Sequence, residues 1–480
     1  MYSASCPNNS DSKLTNIESA FLTDCEDWLK NEPKKCSSED CLSLQSFEFD
    51  QCPEFDEDDE LDSMDNEFGS LASFEMIDNQ IGKNEMSSSP NNKFRRRGSD
   101  AMKELSMVLM NKLNRKFYSM RIGDWLKIKA QISPNKPVYL LGRKYFFNNA
   151  HHSNLMGKSE FMLDFVSRFW FTYRENFRIL PCPKFVDSFV PDVLRTSDSG
   201  WGCMIRSGQM LLAQAFSMHF LGRTWEHTSK NPKDQAFHLQ IIKWFGDFDK
   251  VTNPFSIHRI IRYSGLNPGQ WFGPVSICSV LRDSFYKSCD LEPKLQSLEI
   301  YFSFEQTIYK QEIFDLLKIQ NSSEGISFKK SKSIIILLPL FLGSKSHSSS
   351  FFTGVLNKWI RDQNCIGVIG GKPHHAIYMI GCQEKNVIYL DPHVLQDTID
   401  VNRDNFSPDT FHCKRPLIMP CSYLDPNCAV GFYCKDSSEL EMFLLRLPEM
   451  CRVCVKTNKG NVFRNIIDIQ PGYPPKYDIY

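Results

Sequence analysis

Cys203, and the triplet Asp391-Pro392-His393 far along the chain, are the residues whose types and spacing could carry out nucleophilic chemistry. Cys203 lies in Thr196-Ser197-Asp198-Ser199-Gly200-Trp201-Gly202-Cys203-Met204-Ile205-Arg206-Ser207-Gly208-Gln209-Met210, where small turn formers give way to apolar residues at helical spacing. The pattern predicts a loop and then a helix start, with Asp198 or Ser199 capping the orphan amides and Gly222 as the stop. A cysteine in that first turn feels the positive end of the helix dipole, which favours an anionic sulfur, the attacking form of the group. Gly200 and Gly202 let the backbone approach a substrate, and Trp201 between them supplies a rigid apolar wall. The same features also suit a buried structural cysteine.

Asp391-Pro392-His393 follows a strand-like run at 387–390. In extended chain, residues i and i+2 point the same way, about 6.6 Å apart. Pro392 keeps Asp391 extended. A carboxylate beside an imidazole fixes its tautomer and favours its charged form, so Asp391 and His393 qualify as orienter and general base for a thiol. As a bare triplet, the segment reads equally well as a turn after a strand.

These residues need a scaffold, and the pattern places it in the middle of the chain. Residues 1–105 are rich in Ser, Asn, Asp and Glu without helical or strand period, which predicts a mostly disordered acidic extension. Through residue 92 there are 22 acids against 5 Lys, so the net charge of −1 conceals a basic body. Within the extension, Phe74-Glu75-Met76-Ile77 could add as a strand to a partner's sheet, and Arg95-Arg96-Arg97-Gly98-Ser99 resembles a basophilic kinase site at Ser99.

The folded body is expected over 106–455, with a flexible tail at 456–480. Apolar residues at 107–113 have helical spacing, 138–142 reads as strand and turn, and 161–177 as a buried helix. Residues 235–290 read as helices broken at Gly265-Leu266-Asn267-Pro268-Gly269-Gln270-Trp271-Phe272-Gly273-Pro274, a corner or lid. Strand runs follow at 333–342, 365–369, 377–381 and 387–390. Helices first and strands afterwards argue for an α+β fold.

Several classes are excluded. No phosphate-cradling glycine loop follows a strand, and Ile369-Gly370-Gly371-Lys372-Pro373 lacks the P-loop spacing. The longest apolar run, 334–342, is broken by Pro339 and too short to span a bilayer, and no leader pattern opens the chain. The 17 Cys, scattered and odd in number, fit reduced thiols in cytosol or nucleus better than disulfides, and a soluble, cytoplasmic protein is expected. Cys413, Cys421, Cys428, Cys434, Cys451 and Cys454 match no common zinc module, so no metal or other cofactor is expected.

A further set of motifs falls into one order. Thr172-Tyr173-Arg174 with Asn176-Phe177, the stretch around Cys203, and Gly269-Gln270-Trp271-Phe272-Gly273-Pro274 come first. Gly367-Val368-Ile369-Gly370-Gly371-Lys372-Pro373, Tyr389-Leu390-Asp391-Pro392-His393 and Cys428-Ala429-Val430-Gly431-Phe432 complete it. Over roughly residues 110 to 450 this array resembles the autophagin family, papain-like cysteine proteases that process GABARAP-type ubiquitin-like autophagy modifiers.

The resemblance implies an α+β, papain-like core with a family-specific helical insertion. It implies Cys203 as nucleophile, His393 as base, Asp391 as its orienter, and Tyr173 as a side-chain donor to the oxyanion beside the Cys203 amide. It further implies that Trp271 and a hinged Gly370-Gly371-Lys372-Pro373 loop cover a narrow, glycine-selecting cleft, of which Trp201 forms part. The implied activity is cleavage of a modifier tail after a glycine, and release of the modifier from phosphatidylethanolamine, through a thioester. The implied partners are GABARAP-type modifiers, free and lipidated, and an autophagic membrane met through the lipidated substrate. No nucleic acid is implied, and the enzyme is expected as a monomer.

A competing reading is an autoinhibited or weakly active modifier-binding regulator of autophagy. The acidic extension and the 138–143 entry look closest to the longer-tailed animal branch. The C-terminus lacks the Phe-acid-x-aliphatic ending of some members, leaving Phe463-Arg464-Asn465-Ile466 as a substitute docking motif. No effect follows from the sequence for His374-His375.

Overall fold

The structure is a computed structural model that describes residues 132–147, 154–182, 192–317, 332–341, 345–457 and 460–474. The first elements are β1 (Val138–Leu140), β2 (Arg143–Tyr145), α1 (Asn154–Val166), β3 (Tyr173–Glu175), α2 (Asp192–Thr196) and α3 (Cys203–Phe220). A helical section follows, α4 (Pro232–Trp244), α5 (Ile257–Ser264) and α6 (Pro274–Cys289). Next come β4 (Leu298–Phe302), β5 (Thr307–Tyr309), α7 (Lys310–Leu317), β6 (Ser333–Phe341) and α8 (Lys345–Arg361). The remainder holds β7 (Cys365–Lys372), β8 (His375–Gln383), β9 (Asn386–Leu390), β10 (Leu395–Asp397), β11 (Leu417–Pro420) and β12 (Asn427–Cys434). It closes with α9 (Ser437–Met450), β13 (Arg452–Thr457), β14 (Gly460–Asn465) and β15 (Asp468–Gln470).

Helices thus precede a mixed sheet, the α+β arrangement the pattern predicts. The sheet runs β11-β9-β8-β7-β12-β6-β4, with β1 joined to β8 and β2 to β1. Within this sheet, among the described residues, β4 and β6 pair in parallel and the other pairs are antiparallel. Alternation along β12 sets the layers: Val430 and Phe432 enter a core with Trp359 and Leu356 of α8, whereas Gly431 faces Leu211 of α3. Helices α3 and α8 therefore cover opposite faces of the sheet. Each buried Ile or Leu on these faces contributes roughly 1.5–3 kcal/mol, so the start of α3 sits on a surface that resists displacement.

The expected helix at 161–177 is shorter than predicted. α1 ends at Val166, where Ser167 turns its hydroxyl back onto the Leu163 carbonyl at 2.6 Å, and the chain then goes extended into β3. Aromatic residues suit strand as well as helix. What decides is a distant partner: β3 pairs in parallel with β10, Tyr173 opposite Leu395.

The C-terminal segment also differs from expectation. Instead of a flexible tail, β13 and β14 form a hairpin, β15 pairs in parallel with β5, and Ile467 between them is buried. Within the candidate docking motif, Phe463 is exposed but Ile466 packs partly against the core, because the hairpin folds its end onto the sheet layer. The Phe74–77 unit, the Ser99 site and the helix expected at 107–113 lie outside the described residues. Among the described residues no helix is long and apolar enough to cross a membrane.

Candidate active site

The loop before α3 is built on Asp198. Its carbonyl accepts from the amides of Trp201 and Gly202, with Gly200 at φ +87° making the turn. α3 then starts at Cys203, as expected, but with Gly202 as N-cap and no side-chain cap. Neither Asp198 nor Ser199 caps the helix. The Asp198 carboxylate is instead taken by Arg206, Nε to Oδ2 at 2.7 Å and Nη2 to Oδ1 at 3.1 Å, and by the Arg174 amide at 2.7 Å. A planar fork facing a carboxylate holds it in both distance and plane. Arg206 also reaches Asp247 at 2.9 Å. Burial works against the charge of Arg206, but the two carboxylates outweigh it and its pKa is raised.

This network joins β3, which carries Tyr173, to the turn that carries Cys203. The fit at Gly202 is tight, since a Cβ there would lie 2.4 Å from an Asp198 oxygen. Removing one partner of a buried ion pair leaves an uncompensated charge and costs roughly 3–5 kcal/mol. Asp198→Ala is therefore expected to destabilise the fold by about that amount, read as a lowered denaturation midpoint. A wild-type unfolding curve would mean that the pair anchors nothing.

β9 ends at Leu390 and delivers Asp391 and His393, 4% and 3% exposed. Asp391 Oδ1 accepts from the His393 backbone amide at 2.9 Å and lies 2.5 Å from His393 Nδ1. With Nδ1 committed to the carboxylate, Nε2 is the nitrogen left for Cys203. Burial disfavours the imidazolium, but Asp391 and then Cys203 more than offset it, and the His393 pKa is raised to about 9. Burial likewise opposes ionisation of Asp391, yet the facing His393 holds its carboxyl below the usual carboxylate range.

Two elements hold this pair from behind. The Tyr173 amide donates to the Pro392 carbonyl at 2.9 Å, and the fully buried Tyr173 ring stands at 84° to that of His393, centroids 5.3 Å apart. The Trp170 indole N–H donates to the Asp391 carbonyl at 2.7 Å. No sequence motif pointed to Trp170. Its contact depends on β3 lying beside the segment after β9, which only the β3–β10 pairing creates.

In front of Cys203 lies a cleft of about 180 Å³, lined by Cys203, Trp271, Gly370, Gly371, His374 and Asn427 among others. Trp271 packs edge-on against His374 at 4.3 Å, and the His374 carbonyl lies 3.9 Å from Cys203 Sγ, so these two residues roof the sulfur. Trp271, Gly370 and Gly371 thus line the cleft in front of the sulfur. Trp201 does not: it is buried, its indole N–H folded back onto the Ser197 carbonyl at 3.1 Å.

The Gly-Gly segment is not a hinged loop either. Gly370 pairs with Ile377, Gly371 with Ala376 and Lys372 with His375, leaving Pro373-His374 as the turn, with His374 at φ +59°. The two glycines answer to close packing. A Cβ on Gly370 would lie 3.0 Å from Cys428, and one on Gly371 would lie 2.3 Å from the His375 carbonyl.

His375, to which the sequence assigned nothing, stacks on His393 with centroids 3.6 Å apart and planes at 4°. Among the described residues, His375, Asp391 and His393 are the group whose ligand atoms lie close enough to hold a metal. The stack argues against that use: ring lone pairs lie in their own planes, and one ion cannot lie in two parallel planes 3.6 Å apart. The described cysteines of the zinc reading, Cys413, Cys421, Cys428, Cys434 and Cys451, are free thiols, and burial pushes Cys413 and Cys421 up to about 11 and Cys451 to about 12.

The chain is similar to known proteins over most of its length. A family model described as the peptidase C54 catalytic domain matches residues 158–446. Mouse cysteine protease ATG4C is 32% identical over 423 residues, covering 72% of this chain and 88% of that protein. Human cysteine protease ATG4C is 30% identical over 423 residues, with the same coverage of 72% and 88%. Cysteine protease ATG4D of Xenopus laevis is 31% identical over 375 residues, covering 69% and 75%.

Proposed function

The chain belongs to the peptidase C54 family, the papain-like autophagin cysteine proteases of autophagy, and on that premise we propose that it cuts GABARAP-type modifiers after a glycine and releases them from phosphatidylethanolamine. The observation that carries this reading is the arrangement of Cys203, His393 and Asp391 behind a cleft roofed by Trp271 and His374. A roof this close to the sulfur favours a residue without a side chain at the scissile bond.

In the proposed reaction the Cys203 sulfur attacks the glycine carbonyl, and the oxyanion is met by the Tyr173 hydroxyl and the Cys203 amide. One such donor is worth roughly 2.7–4 kcal/mol in the transition state. The carbon–nitrogen bond breaks as His393 gives its proton to the leaving amine, which is either the tail peptide or the lipid headgroup. Water then attacks the thioester, losing its proton to His393, and the glycine leaves as a carboxylate. Asp391 keeps the imidazole aimed throughout. Because Cys203 is only 1% exposed, Trp271 or His374 has to move for a tail to enter.

The test is a cleavage assay with the full-length chain on modifier precursors, lipidated modifiers and ubiquitin fusions, followed by mass spectrometry of the products. Cuts are expected after the terminal glycine of the modifiers and not in ubiquitin. A precursor with alanine in place of that glycine should react about 10–100-fold more slowly, since an added methyl in a tight site costs about 1–3 kcal/mol. Equal cutting of the ubiquitin fusions would sink the assignment.

A further inference from the structure

The β8–β9 ladder pairs Met379 with Tyr389 and Tyr378 with Leu390. Carried on in the same register, it sets His375 opposite His393. Residues directly opposite on neighbouring strands stand close enough for their side chains to meet. These two rings do meet, stacked nearly parallel with centroids 3.6 Å apart.

We propose that His375 is a positioning residue for His393, its ring lying flat on that of the base and holding the plane in which Nδ1 meets Asp391 and Nε2 is aimed at Cys203. The proposal rests on the reading of His393 as the base.

The contact with Asp391 fixes one ring atom but not the ring plane. Rotation about the Cβ–Cγ bond of a histidine is broad, so an imidazole held only at Nδ1 can tilt and carry Nε2 off its line. Tyr173 meets the ring at 84°, and a perpendicular neighbour leaves tilting toward the other face open. A parallel ring in van der Waals contact closes that freedom, because tilting drives an edge into it. His375 is itself held: it is paired with Lys372 at the start of β8, next to His374, which Trp271 packs against. The groups around the base are then Asp391 in line with the ring, Cys203 from α3, Tyr173 from β3 and His375 from β8. A shift of about 1 Å in a catalytic group costs up to roughly 100-fold in rate.

The experiment compares kcat and KM of full-length His375→Ala and His375→Phe with wild type on the modifier precursor cut most rapidly, with thermal melting as a control of folding. His375 is half-buried, which leaves room for the larger ring of phenylalanine. The alanine variant is expected to lose about 10–100-fold in kcat with KM within about twofold, and the phenylalanine variant, whose flat ring can stack, to recover most of that loss. Wild-type kcat in His375→Ala would overturn the proposal, as would a loss that His375→Phe does not restore. His393→Ala run alongside separates the two levels: activity in that variant would overturn the reading of the base itself rather than of the stack alone.

Discussion

Replacing Cys203 by alanine is expected to abolish cleavage of modifier precursors, a loss of about 10⁶-fold if the catalytic groups act as a unit, while leaving the fold intact. Cys203 begins α3, and its contact with the His374 carbonyl is long at 3.9 Å, so removing the sulfur deletes little that holds the structure together. The anchors of that turn lie elsewhere, in Asp198, Arg206 and Arg174. The variant should therefore melt near the wild-type temperature and still bind precursors, measured by calorimetry and by pull-down of uncleaved substrate. Retained cleavage would exclude Cys203 as nucleophile. Lost cleavage with lost folding would mean that the residue is structural.

Asp391→Asn is expected to cost about 10⁴-fold in kcat, the size of loss seen when an amide presents the wrong hydrogen-bonding pattern to a catalytic imidazole. The 2.5 Å contact with Nδ1 is what keeps Nε2 in the right state for Cys203. The same change has a signature in pH. Burial would lower the His393 pKa, and Asp391 is the largest of the contributions that raise it to about 9. In the wild type the imidazolium, which in the proposed reaction protonates the leaving amine, persists through neutral pH and is lost as pH rises through about 9. Its contribution to stability runs the same way, fully present below the unfolded value of 6.5 and lost through about 9. In Asp391→Asn the alkaline limb of kcat/KM should move to lower pH. A limb that stays in place would show that Asp391 does not set the charge of His393.

Where reasoning from the sequence held, it concerned geometry that a short segment imposes on itself. A cysteine after a glycine-rich turn starts α3, and Asp and His two apart at a strand end face each other, because helix starts and extended i, i+2 pairs need only local backbone. The strand runs at 333–342, 365–369, 377–381 and 387–390 became β6 to β9 for the same reason. Where it failed, a distant partner had outbid a local preference. Asp198 carries a capping side chain, yet an arginine within the same helix and an amide on β3 take its carboxylate. The Gly370-Gly371 pair has the composition of a hinge, but β8 binds it into a ladder.

By itself the sequence determined the kinds of group available to this protein: one thiol at a helix start, one carboxylate–imidazole pair, and an α+β order of elements. The tertiary structure alone decided which groups meet. It brings β3 beside the segment after β9, so that Tyr173 and Trp170 brace Asp391 and His393. It turns Trp201 inward and puts Trp271 and His374 over the sulfur, and it lays His375 on His393. The physical reason is that strand register and burial are properties of the whole chain. A shift of one residue in the β8–β9 ladder would leave every motif unchanged in sequence and take His375 off His393.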